Sequence, residues 1–213
     1  MLFGIFIYDG VEPIDIATFG VLSMARRIAP HIRICTIAPK AGIVRLSNGL
    51  DVVAQFGIDD APVCDIVIVT GGPGWEDQSR SPATLEYIRR IHASDKVASV
   101  CTGAMILAAS GVLDDTAATT KRAVVPPEGS PLLRMRGMYP RIDVREAPIV
   151  DTGAVVTGGG VSLCIDTTLH LLARMLGPDV ASETMRILEY DRAWRANRDQ
   201  FAAVVDNGDD RPA

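Results

Sequence analysis

Short, mostly apolar runs alternate with stretches of helical periodicity along the chain. Residues 3–7, 32–37, 66–69 and 97–100 are rich in Ile and Val and are mostly apolar without strict alternation, with Arg33, Thr36 and Ser99 the polar exceptions. That is the pattern of strands covered on both faces, as in a parallel sheet. Between them the pattern predicts helices over 14–29, 83–92 and 102–110. Pro13 suits the first turn of the first helix, Ser81-Pro82 the start of the second, and Gly111 the stop of the third. This β-α-β-α order implies an open α/β sandwich. Asn48-Gly49 predicts the turn of a small hairpin over 44–53. Residues 126–137, with several Pro and Gly, read as an irregular excursion, 154–157 as a further strand, and 161–176 and 180–190 as helices. One domain over 1–190 is expected, followed by an extension over 191–213 that is partly disordered, with a frayed 206–210.

Composition narrows the function classes. The 213 residues carry 21 Lys plus Arg against 26 Asp plus Glu, a net charge of −5. An acidic balance argues against a nucleic-acid partner, which needs a basic surface. The start of the chain has no basic leader pattern, and the longest uncharged stretch, 97–113, falls short of a membrane span. The four cysteines, Cys35, Cys64, Cys101 and Cys164, are too few and scattered for a disulfide scaffold or a zinc ribbon. Reduced thiols in a cytoplasmic protein without metal or cofactor are the expectation.

The segment Ala98-Ser99-Val100-Cys101-Thr102-Gly103-Ala104-Met105 carries the most chemistry. A buried strand ends at Cys101 and a helix starts at once, so the bend lifts the cysteine out of the sheet as in a nucleophile elbow. The N–H groups of the first helical turn are expected to favour the thiolate and lower the thiol pKa. On position alone the cysteine fits a small core residue as well as a nucleophile. Cys35, Cys64 and Cys164 lack that context and read as structural. Thr70-Gly71-Gly72-Pro73-Gly74 is a second bend at a strand's carboxyl end, the edge where open α/β sheets bind ligands. Its Gly72 N–H, with that of Thr102, is placed to hold a developing negative charge. The spacing is not the dinucleotide fingerprint. Asp15, between Ile14 and Ile16 past the first strand, is placed to reach the same crevice and to keep its proton beside a thiolate. Glu12 is its rival and reads as solvated. His31, His92 and His170 read as surface or packing residues, leaving no histidine base.

The set Asp15, Gly71-Gly72, Ser99 to Gly103, Ala118-Thr119-Thr120 and Val156 to Gly160 resembles the ThiJ/PfpI superfamily. Within it the chain is similar to the branch of isonitrile hydratases and of the ligand domains of AraC-type regulators, over about residues 2 to 190. The resemblance implies a flavodoxin-like three-layer α/β sandwich with a mostly parallel central sheet, assembled as a homodimer. It assigns nucleophilic attack to Cys101, with Asp15 and Thr102 assisting, and places Gly71, Gly72, Gly103 and Lys121 at the substrate. The implied activity is a lyase that hydrates a small isonitrile to an N-substituted formamide. A small-molecule sensor or a redox-responsive cysteine protein is the alternative. Related peptidases have His after the nucleophile where this chain has Thr102, which weighs against proteolysis. Lys121-Arg122 stands where the branch often has His-Trp. The residues after Tyr190 are too few for a helix-turn-helix region.

Overall fold

The computed structural model of the chain describes residues 1–94, 97–200 and 204–205. In chain order the strands are β1 (Leu2–Phe6), β2 (Arg33–Ala38), β3 (Gly42–Arg45), β4 (Asp51–Ala54), β5 (Phe56–Gly57), β6 (Ile66–Val69), β7 (Val97–Ser99), β8 (Ala117–Ala118), β9 (Asp143–Val144), β10 (Ile149–Asp151), β11 (Val155–Gly158) and β12 (Val204–Val205). The helices are α1 (Ala17–Ala25), α2 (Trp75–Gln78), α3 (Pro82–His92), α4 (Gly103–Ser110), α5 (Pro131–Met138), α6 (Leu163–Leu176), α7 (Pro178–Ile187) and α8 (Asp191–Gln200).

The central sheet has the order β12-β10-β11-β7-β6-β1-β2-β5. All its pairings are parallel except β10 with β11. Its middle strands are buried along most of their length because Ile and Val fill both faces: every residue of β6 is buried, as are all but the first of β1. One layer of helices joins α1, α6 and α7, and the other gathers α2, α3 and α5 around α4. The result is the expected three-layer α/β sandwich. The hairpin also forms, with β3 pairing β4 antiparallel. Its loop over 47–49 closes between Leu46 and Leu50, where Leu46 N–H donates to Leu50 O at 2.8 Å, and Asn48 and Gly49 both take positive φ, 63° and 88°.

Two elements depart from the sequence pattern. The first helix is split into a 3-10 turn, Pro13–Ile16, and α1. The Asp15 side chain is held inward there and the chain tightens around it. Residues 126–137 are not wholly irregular, since α5 begins at Pro131. Proline suits the first turn of a helix, where its missing N–H costs nothing, so it marked a start and not a break. Within the C-terminal stretch, α8 is tied back to α6: Tyr190 Oη donates to the buried Asp166 carboxylate at 2.8 Å, and Asn197 Nδ2 donates to it at 3.0 Å. The expected fraying at 206–210 lies outside the described residues.

Helix α4 is pressed onto β6. A Cβ at Gly103 would lie 2.2 Å from the Val69 carbonyl oxygen and 2.8 Å from that of Thr70. Backbone cannot yield as a flexible side chain can, so Gly103→Ala displaces the helix that carries the site. The expected loss of stability is about 3 kcal/mol or more, read as a fall in the urea midpoint.

Candidate active site

The turn from β7 into α4 is sharp. Cys101 adopts φ +52°, a left-handed conformation that side-chain-bearing residues rarely take. The surrounding backbone holds it there: Cys101 N–H donates to Gly159 O at 3.0 Å, and Thr120 Oγ1 donates to Cys101 O at 2.9 Å. Two glycines make room for the side chain. A Cβ at Gly71 would fall 2.8 Å from Cys101 Cβ, and one at Gly160 would fall 3.1 Å from Cys101 Sγ.

Asp15 reaches the same place from the other side of Gly71. It is fully buried, and its Oδ2 accepts the Gly71 N–H at 2.7 Å. Its Oδ1 is buried without a hydrogen-bond partner. Burial pushes the carboxyl from 3.8 up to about 7, with Glu12 adding to the rise, while the Gly71 N–H and the charge of Lys121 oppose it. A buried carboxyl with one bare oxygen is best satisfied by holding a proton.

Cys101 lines a cavity of about 420 Å³. Gly72, Pro73, Thr102, Val161 and Pro131 share its wall, together with Trp75 and five charged residues, Glu12, Glu76, Lys121, Glu128 and Arg134. The charges are largely paired among themselves: Lys121 Nζ with Glu128 at 3.0 Å, and Arg134 with Glu76 at 2.7 Å. The Arg134 guanidinium also stacks over Trp75, 4.8 Å from the ring centre. Lys121 further borders a smaller cavity of about 150 Å³ with Thr119, Thr120, Leu132 and Pro148. Among the described residues no cluster of three or more His, Cys, Asp or Glu is placed to hold a metal ion.

The structure therefore brings Cys101, Thr102, Gly72 and Lys121 to one cavity, with Asp15 behind its wall. Gly71 and Gly103 do not line it; they act by close packing, against Thr102 and against β6. Two expectations change. The Cys101 thiol is pushed well above its ordinary value, not below it. Burial is the largest cause and the Asp15 charge the next, outweighing the N–H and hydroxyl of Thr102 and the charge of Lys121. The Gly72 N–H is already taken, donating to Thr102 Oγ1 at 2.8 Å, so it does not stand open to a developing anion. Glu12, half-buried, also forms part of the cavity wall. Of the residues that sequence reasoning missed, Trp75 and Glu76 follow directly on the glycine bend, which was a usable signal. Glu128 and Arg134 lie in the stretch read as irregular, where no periodicity pointed at the pocket.

Residues 4–174 match the DJ-1/PfpI family. The chain is 31% identical over 189 residues to an isonitrile hydratase of Pseudomonas putida, covering 88% of this chain and 77% of that one. It is 30% identical over 155 residues to the HTH-type transcriptional regulator GlxA of Rhizobium meliloti, covering 71% of this chain but 45% of the regulator. A ThiJ/PfpI family protein from Pseudomonas syringae superposes with a TM-score of 0.75 at 22% identity, over 89% of this chain and 75% of that one.

Proposed function

This chain belongs to the DJ-1/PfpI family, and from that premise we propose that it is a cysteine-dependent hydratase. Its substrate is a small organic isonitrile and its product an N-substituted formamide. The observation that carries the reading is the pairing, across Gly71, of a cavity-lining thiol with a buried carboxyl whose proton affinity is raised to about 7, so that it can take up and give back a proton near neutral pH. A relative named isonitrile hydratase over most of both chains supports it.

The raised thiol decides how the proton moves. Above pH 7 the resting pair is a protonated Cys101 and an ionised Asp15, sharing one transferable proton. Asp15 accepts that proton as sulfur closes on the terminal isonitrile carbon, then delivers it to that same carbon. A C–S bond and a C–H bond form, and the product is a thioimidate, R–N=CH–S–Cys101. Water adds to the thioimidate carbon, with one of its protons going to nitrogen. The adduct collapses: the C–S bond breaks, the remaining hydroxyl proton returns to sulfur, and R–NH–CHO leaves. Covalent catalysis thus replaces one hard addition by two easier ones. Trp75, Pro73, Pro131 and Val161 receive the substituent R, and Lys121 stands beside it. Asp15 and Cys101 need no metal or cofactor for these steps. The rest of the proposal follows the resemblance: a homodimer in the cytoplasm, with a small molecule and not DNA as ligand. No described helix is long and apolar enough to cross a membrane.

Incubation with alkyl and aryl isonitriles tests the reading. Catalytic release of the matching formamide, followed by chromatography, is expected. Saturable binding of an isonitrile or metabolite with no formamide would instead assign the chain to the sensor reading, which its similarity to the regulator favours.

A further inference from the structure

We propose that Cys35 and Cys64 form a second, redox-active site at the opposite end of the sheet from Cys101: a dithiol that hydrogen peroxide converts to a disulfide. Their sulfurs lie 3.8 Å apart. The two residues do not belong to neighbouring strands. Cys35 is in β2, and Cys64 sits two residues before β6, with β1 running between those strands. They meet because the β1 residue in register with Cys35 is Gly4. A Cβ at Gly4 would lie 2.9 Å from Cys64 Sγ, so any larger residue there would keep the sulfurs apart. The missing side chain is the space in which the two thiols face each other.

The surroundings fit the chemistry. A hydrogen bond from Cys64 holds the Cys35 thiol below its ordinary value, and the Arg33 charge adds to this, against the effect of burial. Cys35 is therefore the attacking sulfur, since the thiolate is the reactive form. The Pro62 carbonyl, 3.4 Å from Cys64 Sγ, is the other acceptor open to the single Cys64 S–H while Cys35 is protonated. Both cysteines are buried, and Val63, next in sequence to Cys64, is 84% exposed. Cys35 attacks one peroxide oxygen, the O–O bond breaks and hydroxide leaves, giving a sulfenic acid. The Cys64 sulfur then displaces the sulfenic oxygen, which departs with the Cys64 proton as water. One peroxide is reduced and two thiols are oxidised, and two equivalents of a small external thiol reverse the change. Closing 3.8 Å to the ~2.05 Å of an S–S bond needs movement. The loop before Asp65 supplies it, because Asp65 is fastened to Leu2 by two hydrogen bonds while Cys64 stands outside the strand.

This proposal is independent of the hydratase reading, and its test contains no isonitrile. The full chain as Cys101→Ser, which removes the elbow thiol from the readout, is treated with stoichiometric hydrogen peroxide beside the unmodified chain. The expected result is a loss of about 2 Da per chain, a Cys35–Cys64 cross-linked peptide in a non-reducing map of both proteins, and its disappearance with dithiothreitol. Adding Cys64→Ser should replace the cross-link by gains of about 16 or 32 Da on the Cys35 peptide. Thiols that stay reduced would overturn the proposal. So would those same gains on Cys35, without a cross-link, while Cys64 is present.

Discussion

Replacing Cys101 by Ala should, on the proposed mechanism, remove formamide formation, with a loss of at least about 10⁴-fold in kcat, as for other covalent nucleophiles. The substitution deletes the atom that bonds to substrate in the proposed mechanism and should leave the fold standing. The Cys101 backbone is fixed by its own N–H and C=O bonds to Gly159 and Thr120, neither of which needs sulfur. The seat cleared by Gly71 and Gly160 accepts a smaller side chain without strain. Cys101→Gly sharpens the test. Glycine takes φ +52° at little cost, so this variant should equal or exceed the parent in stability, by up to about 1 kcal/mol, while being equally inactive. Formamide assays on both variants, with urea midpoints alongside, separate a lost nucleophile from a lost fold. Turnover surviving in either would remove Cys101 from the mechanism.

The parallel core was legible because continuous Ile/Val runs leave few alternatives to a doubly covered strand: all of β6 and nearly all of β1 lie where the pattern puts them. The elbow was legible for a related reason, since an apolar run ending in Cys-Thr-Gly-Ala must turn sharply and pack closely. The state of the thiol was not. A helix N-terminus and a neighbouring cation act over a few ångströms, and their effect depends on how much water remains around the sulfur. Cys101 is only 2% exposed, and desolvation reverses the direction that local sequence suggested. The cavity wall was only partly legible. Glu128 and Arg134 come to Cys101 from a segment some thirty residues away, and only tertiary packing sets them against Lys121 and Glu76. The Cys35–Cys64 pair was equally hidden, because it depends on which strand runs between them and on that strand carrying Gly4.

Replacing Asp15 by Asn lowers turnover by about 10²–10⁴-fold, the range for a lost general acid–base group, and changes two pH profiles in a way that other roles would not. On the proposed mechanism the competent form is the pair with one shared proton. Activity should therefore rise with pH along a limb near pH 7, where Asp15 ionises. Asparagine cannot titrate, so residual activity should lack that limb. Stability moves the other way. The folded carboxyl is raised from 3.8 to about 7, so the folded state favours the protonated form. Its contribution to stability is fully present below pH ~3.8 and is lost as pH climbs through about 7. At ~1.4 kcal/mol per pH unit, the cost of ionising Asp15 at pH 8 is capped at about 4 kcal/mol. The substituted asparagine keeps an oxygen for the Gly71 N–H but sets an unpartnered amide where Oδ1 is bare, a penalty of about 1–3 kcal/mol. The variant should thus gain about 1–3 kcal/mol over the parent at pH 8 and fall below it near pH 4. Urea unfolding at both pH values reads this reversal. A variant equally displaced from the parent at both would mean that Asp15 carries its charge without cost, and the activity limb near pH 7 could then not belong to Asp15.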